Sequence, residues 1–247
     1  MNDDIAVIYG KHAVEEAISA RPDIVRAVYV LAGTDYAEVS RLISKSGMVK
    51  KAVEVKKLPK GVPNDAVHQG IVAEIDTSLL MVDYEEFIRM HSVTNDTAFA
   101  LLGELQDPHN VGAIIRSATS FGMSAVLIPE HRQAQITGSV IKVSAGMVFR
   151  IPLVRIGNVN QTIEDLKARG FWTYGLDGEA TQSVSDEQFE KPSVFILGNE
   201  GTGIRKKTLE HCDIPLRIPM HEGAESLNAS VAAAVVFYAW STHHSLK

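Results

Sequence analysis

Apolar and polar positions along this chain follow two periods, and the way the periods alternate divides the chain into two parts. In the first 75 residues, short apolar runs at 5–9, 24–31, 52–58 and 70–75 read as strands. Between them, residues 11–19 place Val14, Ala17 and Ile18 at helical spacing. Ala37, Val39, Leu42 and Ile43 mark a second helix, with Thr34 placed to N-cap it and Gly47 to stop it. The stretch 59–64 holds two prolines and a glycine and reads as a loop. Residues 77–97 lose the pattern. They carry the acidic Asp83-Tyr-Glu-Glu and the turn-forming Ser92-Val-Thr-Asn-Asp96, and read as a linker.

From Ala98 onward strand and helix patterns alternate. Strands are expected at 98–102, 125–128, 151–156, 172–176, 193–197 and 214–218. Helices are expected at 110–121, 136–145, 160–169, 203–210 and 226–240, and Gly122 and Gly170 fall where helix C-caps belong. Such alternation predicts an α/β fold, a parallel sheet covered on both faces. The expected organisation is a small α/β domain over 1–76, a linker over 77–97 and a larger domain over 98–247.

Composition narrows the function classes. An apolar content of 45% and a charged content of 22% are ordinary for a globular chain of 247 residues. The longest apolar run, Val231 to Trp240, is ten residues, too short for a bilayer. The acidic start Met1-Asn-Asp-Asp lacks the basic region of a signal peptide. One cysteine, Cys212, leaves no intramolecular disulfide and no multi-cysteine metal site. A cytoplasmic setting without membrane or metal is expected. The net charge of −6 is unevenly spread. Lys45, Lys50, Lys51, Lys56, Lys57 and Lys60 form a local basic patch opposed only by Glu54, able to contact phosphates or simply solvated.

Three polar stretches stand at strand ends, where open α/β sheets bind ligands. The first is Asp107-Pro-His-Asn-Val-Gly-Ala-Ile-Ile-Arg116. Asp107 or Asn110 can cap the helix there, and Arg116, six residues past Asn110, is expected on roughly the same side. The second, Leu197-Gly-Asn-Glu-Gly-Thr-Gly203, has the spacing G-x-x-G-x-G, the reverse of a dinucleotide fingerprint, and no Walker lysine follows. Its bare backbone can approach a ligand closely. The third is Ile218-Pro-Met-His-Glu-Gly-Ala-Glu-Ser-Leu-Asn228, in which Ser226 can N-cap the last helix and Asn228 sits in its first turn. That helix is apolar nearly all round, which suits a core or a subunit interface. Taken singly, each stretch is equally a cap or a turn. Arg132, Lys142, Arg205, Lys206 and Lys207 are further phosphate-contact candidates, and His243-His244 reads as a solvated tail.

Taken in order, the three stretches resemble the motifs of the SpoU (TrmH-like) RNA ribose 2′-O-methyltransferases of the SPOUT superfamily. Ile8-Tyr-Gly-Lys-His-Ala-Val and His68-Gln-Gly-Ile-Val-Ala resemble the ends of the L30e-like RNA-binding domain of the RlmB-type branch, which methylates a guanosine ribose in 23S rRNA. The resemblance implies a deep trefoil knot in the C-terminal domain, S-adenosyl-L-methionine as methyl donor, and a homodimer. It places the donor at Leu197, Gly198, Asn199, Gly201, Ile218, Met220 and Leu227. It gives Asn110, Arg116, Glu200, Ser226 and Asn228 to the chemistry, with Arg116 either a base or a group that positions and stabilises. A tRNA substrate and a non-catalytic RNA-binding or ribosome-assembly role on the same fold remain as alternatives. A nicotinamide-dependent oxidoreductase would rest on the scrambled glycine loop alone.

Overall fold

The computed structural model describes residues 5–47, 52–59, 62, 66–199 and 201–245. In chain order the elements begin β1 (Ile5–Tyr9), α1 (Lys11–Ala20), β2 (Val25–Leu31), α2 (Ala37–Lys45), β3 (Val53–Val55) and β4 (Ile71–Asp76). They continue β5 (Met81–Asp83), α3 (Tyr84–Met90), β6 (Ala98–Leu102), α4 (Pro108–Ser120), β7 (Ala125–Pro129), α5 (Gly138–Val143), β8 (Leu153–Ile156) and α6 (Val159–Ala168). The last are β9 (Trp172–Leu176), β10 (Gln182–Ser183), β11 (Ser193–Leu197), α7 (Lys206–His211), β12 (Ile214–Arg217) and α8 (Ala229–Ser241). No helix among the described residues is long and apolar enough to cross a membrane.

The chain divides into two compact units. One comprises residues 1–81 with 136–150, and the other 82–135 with 151–247. In the first, a four-stranded sheet has the order β1-β4-β2-β3, antiparallel except for the β2–β3 pair. Val14, Ala17 and Ile18 of α1 and Val39 and Ile43 of α2 are buried, as their spacing requires. Thr34 does not cap α2. Its side chain instead fills the space beside Gly70, whose φ is +75°, and Asp35 Oδ1 accepts from Ala37 N at 3.1 Å. β3 is shorter than its alternating pattern, because Lys56 and Lys57 turn the chain away into bends. Lys50, Lys51 and Lys60 of the basic patch, and most of the 59–64 loop, lie outside the described residues. Residues 136–150 join this unit although their pattern places them in the larger domain. The Lys142 ammonium stands 5.1 Å from the Tyr9 ring centroid, and Arg150 pairs with Glu16 at 2.5 Å.

The second unit is built on a sheet of order β10-β12-β9-β11-β6-β7-β8-β5. The six pairings from β10 through β8 are all parallel. β6, β7 and β11 are buried at every position, the continuous apolar run that a strand covered on both faces needs. Phe99 of β6 stacks on Phe171 at 4.9 Å, in a core shared with Leu127, Ile163 and Leu166. Residues 82–97, read from the sequence as connecting chain, are folded here. Ile88 of α3 is buried in that core, and the Tyr84 hydroxyl donates to Asp165 Oδ2 at 2.6 Å. The polar composition of 82–97 reflects a short amphipathic helix seven residues long. α4 begins two residues before its expected start, with Asp107 Oδ1 accepting from His109 N at 2.8 Å as the N-cap and Pro108 in the first turn.

Candidate active site

The chain leaves β11 at Leu197 and folds into a closed loop. Asn199 N donates to Gly203 O at 3.0 Å and Gly203 N returns the bond to Asn199 O at 2.9 Å. Only a glycine fits at 198, since a Cβ there would lie 2.2 Å from the backbone of Gly203 and Ile204. The Asn199 side chain fastens the loop on both sides. Its Oδ1 accepts from Gly201 N at 2.9 Å, and its Nδ2 donates to Glu104 O, just past β6, at 2.9 Å. The neighbouring strand ends are tied in the same way. Gly103 N donates to Leu197 O at 2.6 Å, and Asp177 N to Leu216 O at 2.9 Å.

This arrangement opens a cavity of about 280 Å³ at the carboxyl ends of β9, β11 and β12, close to the lower end of the ~300–1,000 Å³ usual for small-molecule sites. Leu197, Gly198, Asn199, Gly201, Ile218, Met220 and Leu227 all line it. Ser226 lines it too, so residues 218–228 return to the rim of the 198–203 loop. Leu176, Asp177 and Gly178 form a wall that the motifs did not single out. Their signal was positional: they stand at the carboxyl end of an expected parallel strand. Two carboxylates line the cavity, Asp177 and Glu225, and its described lining holds no cation. That electrostatic setting suits a cationic ligand with an apolar body and opposes one carrying phosphates.

Asn110 and Asn228 meet outside the cavity lining. Asn110 is buried at the start of α4, and its Oδ1 accepts from Asn228 Nδ2 at 2.9 Å. Asn228, not Ser226, is the N-cap of α8: its Oδ1 accepts from Ser230 N at 2.9 Å and from the Ser230 hydroxyl at 2.6 Å. Ser226 stays two residues upstream in an exposed, irregular stretch. Arg116 is exposed and, like Asn110, does not line the cavity; because Asn110 is buried, the expectation that the two share a side fails. Six residues advance the helix by about 600°, which leaves the two side chains roughly 120° apart. Glu200 lies outside the described residues.

Two other groups are settled by their surroundings. His244 is no solvated tail. It stacks on Trp240 at 4.2 Å and its Nδ1 lies 2.8 Å from Asp96 Oδ1. Burial pushes the Cys212 thiol up to about 12, so it stays protonated and unreactive. No group of three or more His, Cys, Asp or Glu among the described residues is arranged to hold a metal ion.

α8 buries Ala233, Val236, Phe237 and Trp240 but leaves Val231 and Tyr238 exposed at 47% and 59%. Together with Ala113 and Ser117 of α4, these exposed residues line an apolar groove.

Comparison with known proteins agrees across nearly the whole chain. Residues 98–238 match the SpoU rRNA Methylase family, and residues 7–79 match the family described as RNA 2′-O ribose methyltransferase substrate binding. A 23S rRNA (guanosine-2′-O-)-methyltransferase RlmB of Xanthomonas campestris pv. campestris is 35% identical over 94% of each chain. The RlmB of Pseudomonas putida is 33% identical over 94% of each. Among solved structures, the SpoU methyltransferase AviRb from Streptomyces viridochromogenes, in complex with AdoMet, superposes with a TM-score of 0.79 at 21% identity, covering 97% of this chain and 90% of AviRb. That last likeness is one of fold.

Proposed function

The chain belongs to the SpoU rRNA Methylase family, and on that premise we propose that it transfers a methyl group from S-adenosyl-L-methionine to the ribose 2′-hydroxyl of a guanosine in 23S rRNA. The observation that carries the reading is the cavity. Apolar walls at Leu197, Ile218 and Leu227, a bare glycine loop and two carboxylates fit a donor with an apolar adenine and a positive sulfonium. The same lining disfavours a dinucleotide with its two phosphates. The guanosine and the 23S rRNA follow from the relatives, 94% of whose length this chain covers.

The bound donor supplies a methyl group on a sulfonium leaving group. Everything else falls to this chain. A ribose hydroxyl is a poor nucleophile and must be aligned and polarised. A guanidinium keeps its proton and is a poor base. Arg116 therefore holds the acceptor phosphate and hydroxyl and stabilises the developing alkoxide, and the hydroxyl proton passes to solvent water. Asn110, Ser226 and Asn228 orient the ribose and the donor loop, and Glu200 holds Arg116 or Asn110. Residues 1–76 are the L30e-like RNA-binding domain. The C-terminal domain carries the family's deep trefoil knot, an exception to the rarity of knots. The return of residues 218–228 to the 198–203 loop supports that reading. The apolar groove of α4 and α8 is the seat of a second copy in a homodimer, working in the cytoplasm.

The test is to map 2′-O-methyl sites in cellular RNA with and without the gene, beside calorimetric titration of the protein with S-adenosyl-L-methionine. One 23S rRNA guanosine mark should disappear, and the donor should bind. Loss of a tRNA mark instead would give the enzyme a different substrate, and binding of a nicotinamide nucleotide alone would sink the methyltransferase reading.

A further inference from the structure

A second cavity, of about 650 Å³, has Glu104 in its lining. Arg132, Arg205, Lys206 and Lys207 line it, opposed by one carboxylate, Glu104. This concentration is not background. The unit as a whole is acidic, with 12 Lys and Arg against 19 Asp and Glu over residues 82–135 and 151–247. A third of its cations therefore face one cleft. Neither Lys206 nor Lys207 has an ion-pair partner among the described residues, and both are exposed. His131 and the polar side chains of Asn158, Asn160 and Thr208 also line it, with Thr208 Oγ1 donating to Asn160 Oδ1 at 2.9 Å.

Glu104 links the two cavities. Its carboxylate accepts from Arg205 Nη2 at 2.7 Å and lies 3.8 Å from Arg132 Nη1. Its backbone carbonyl accepts the Asn199 bond that fastens the donor loop. Both Glu104 and Arg132 hold left-handed backbone conformations, with φ of 61° and 56°. For side chains of this size that is a cost the fold must offset elsewhere. An anion held in the cleft thus meets Glu104, whose backbone carbonyl is bonded to Asn199 in the lining of the donor cavity.

We propose that this cleft grips the sugar-phosphate backbone of the RNA strand beside the nucleotide being methylated, with Glu104 as a built-in competitor. This inference rests on the methyltransferase reading and adds to it where the strand runs. Phosphates bind Lys206 and Lys207 directly and take Arg205 and Arg132 away from the Glu104 carboxylate. Arginine suits that exchange, since its fork matches a carboxylate and a phosphate equally well. The competing carboxylate weakens non-specific adhesion of RNA, and the shared backbone keeps the strand in register with the donor loop.

Two variants of the full-length protein move RNA affinity in opposite directions. Lys206→Gln with Lys207→Gln should weaken binding of a short single-stranded RNA oligonucleotide by about tenfold, and should lower the slope of log affinity against log salt by about 1.4, at roughly 0.7 per lost phosphate contact. Glu104→Gln removes the competitor and keeps the carbonyl that holds Asn199. It should therefore tighten RNA binding several-fold. Titration with S-adenosyl-L-methionine should give the wild-type affinity in both variants, which shows the donor cavity intact. Wild-type RNA affinity and slope in both variants would overturn the cleft. Full displacement of the oligonucleotide by guanosine 5′-monophosphate would overturn the strand in favour of a mononucleotide site. A wild-type protein that binds neither RNA nor donor would instead sink the methyltransferase reading itself.

Discussion

The Asn228 side chain joins two stretches of chain 118 positions apart: its Nδ2 donates to Asn110 Oδ1 at 2.9 Å while its Oδ1 caps α8. One amide thus fixes the start of the last helix and the start of α4 in a single geometry, and the two duties can be separated. Asn228→Asp keeps the capping oxygen and loses the donor. We expect helix stability to change by less than about 1 kcal/mol, since Asp and Asn cap equally well. Methyl transfer should fall by on the order of tenfold or more, because a carboxylate then faces the Asn110 oxygen. Asn228→Ala loses both duties and should also cost ~0.5–2 kcal/mol of stability. Urea unfolding beside single-turnover methylation checks the pair. Equal losses of stability in the two variants would refute the division of labour.

The glycine loop gives a sharper contrast. A Cβ at Gly198 would collide with backbone at 2.2 Å, whereas a Cβ at Gly201 would meet only Asn199 Oδ1 at 3.6 Å, an ordinary contact. Gly198→Ala must therefore open the loop. We expect it to weaken S-adenosyl-L-methionine binding at least tenfold, about 1.4 kcal/mol. Gly201→Ala should change it by less than about threefold, within the range of a tolerated surface substitution. Calorimetric titration of both variants decides the matter, and a larger loss at Gly201 would mean that the ligand, not the loop's own backbone, sets the glycine requirement.

How much of this was legible in the sequence depended on how each element is held. Strands such as β6 and β11 are buried at every position and announce themselves as unbroken apolar runs. β5 and β10, at three and two residues, carry no usable period, and α3 presents a single fully buried residue, Ile88. The choice of Asn228 over Ser226 as cap is also tertiary in origin, since either residue type caps well in isolation. Asn228 prevails where its amide can also reach Asn110. The stretches that line the cavity at 197–203 and 218–227 were readable because loops between parallel strands must place their polar groups locally. The wall at Leu176–Gly178 was not, because nothing but its place at the end of β9 distinguishes it.

α3 is fastened by a pH-sensitive contact. The Asp165 carboxyl is held below the usual carboxylate range, chiefly by the Arg169 guanidinium at 2.6 Å, against the opposing pull of burial and with help from the Tyr84 hydroxyl. A depressed folded-state pKa contributes stability above the unfolded value, near ~3.9, and that stability is lost as pH falls through the folded value. Asp165 is partly exposed, so screening keeps the contribution under about 1 kcal/mol. Asp165→Asn should be slightly less stable than wild type at neutral pH, and the gap should close in acid. Urea midpoints compared at about pH 7 and pH 2.5 give the reading. A gap that widened in acid would reverse the assigned sign.

Arg116 poses the last question, because it is exposed and outside the lining of its own protomer's donor cavity. If the second copy seats on the groove of α4 and α8, each α4 lies against its partner, and Arg116 serves the partner's donor cavity. Arg116→Lys keeps the charge and loses the fork, so methylation should fall on the order of a hundredfold with the fold unchanged. Complementation separates the two geometries. In a dimer of one Arg116→Ala protomer and one Gly198→Ala protomer, action across the interface leaves one site with both an intact donor loop and an intact arginine. Action within the protomer leaves neither site intact. Random pairing makes half the dimers mixed, each with one working site, so an equal mixture should recover about a quarter of wild-type activity. Activity no higher than that of the two variants assayed separately would place Arg116 at the donor cavity of its own chain.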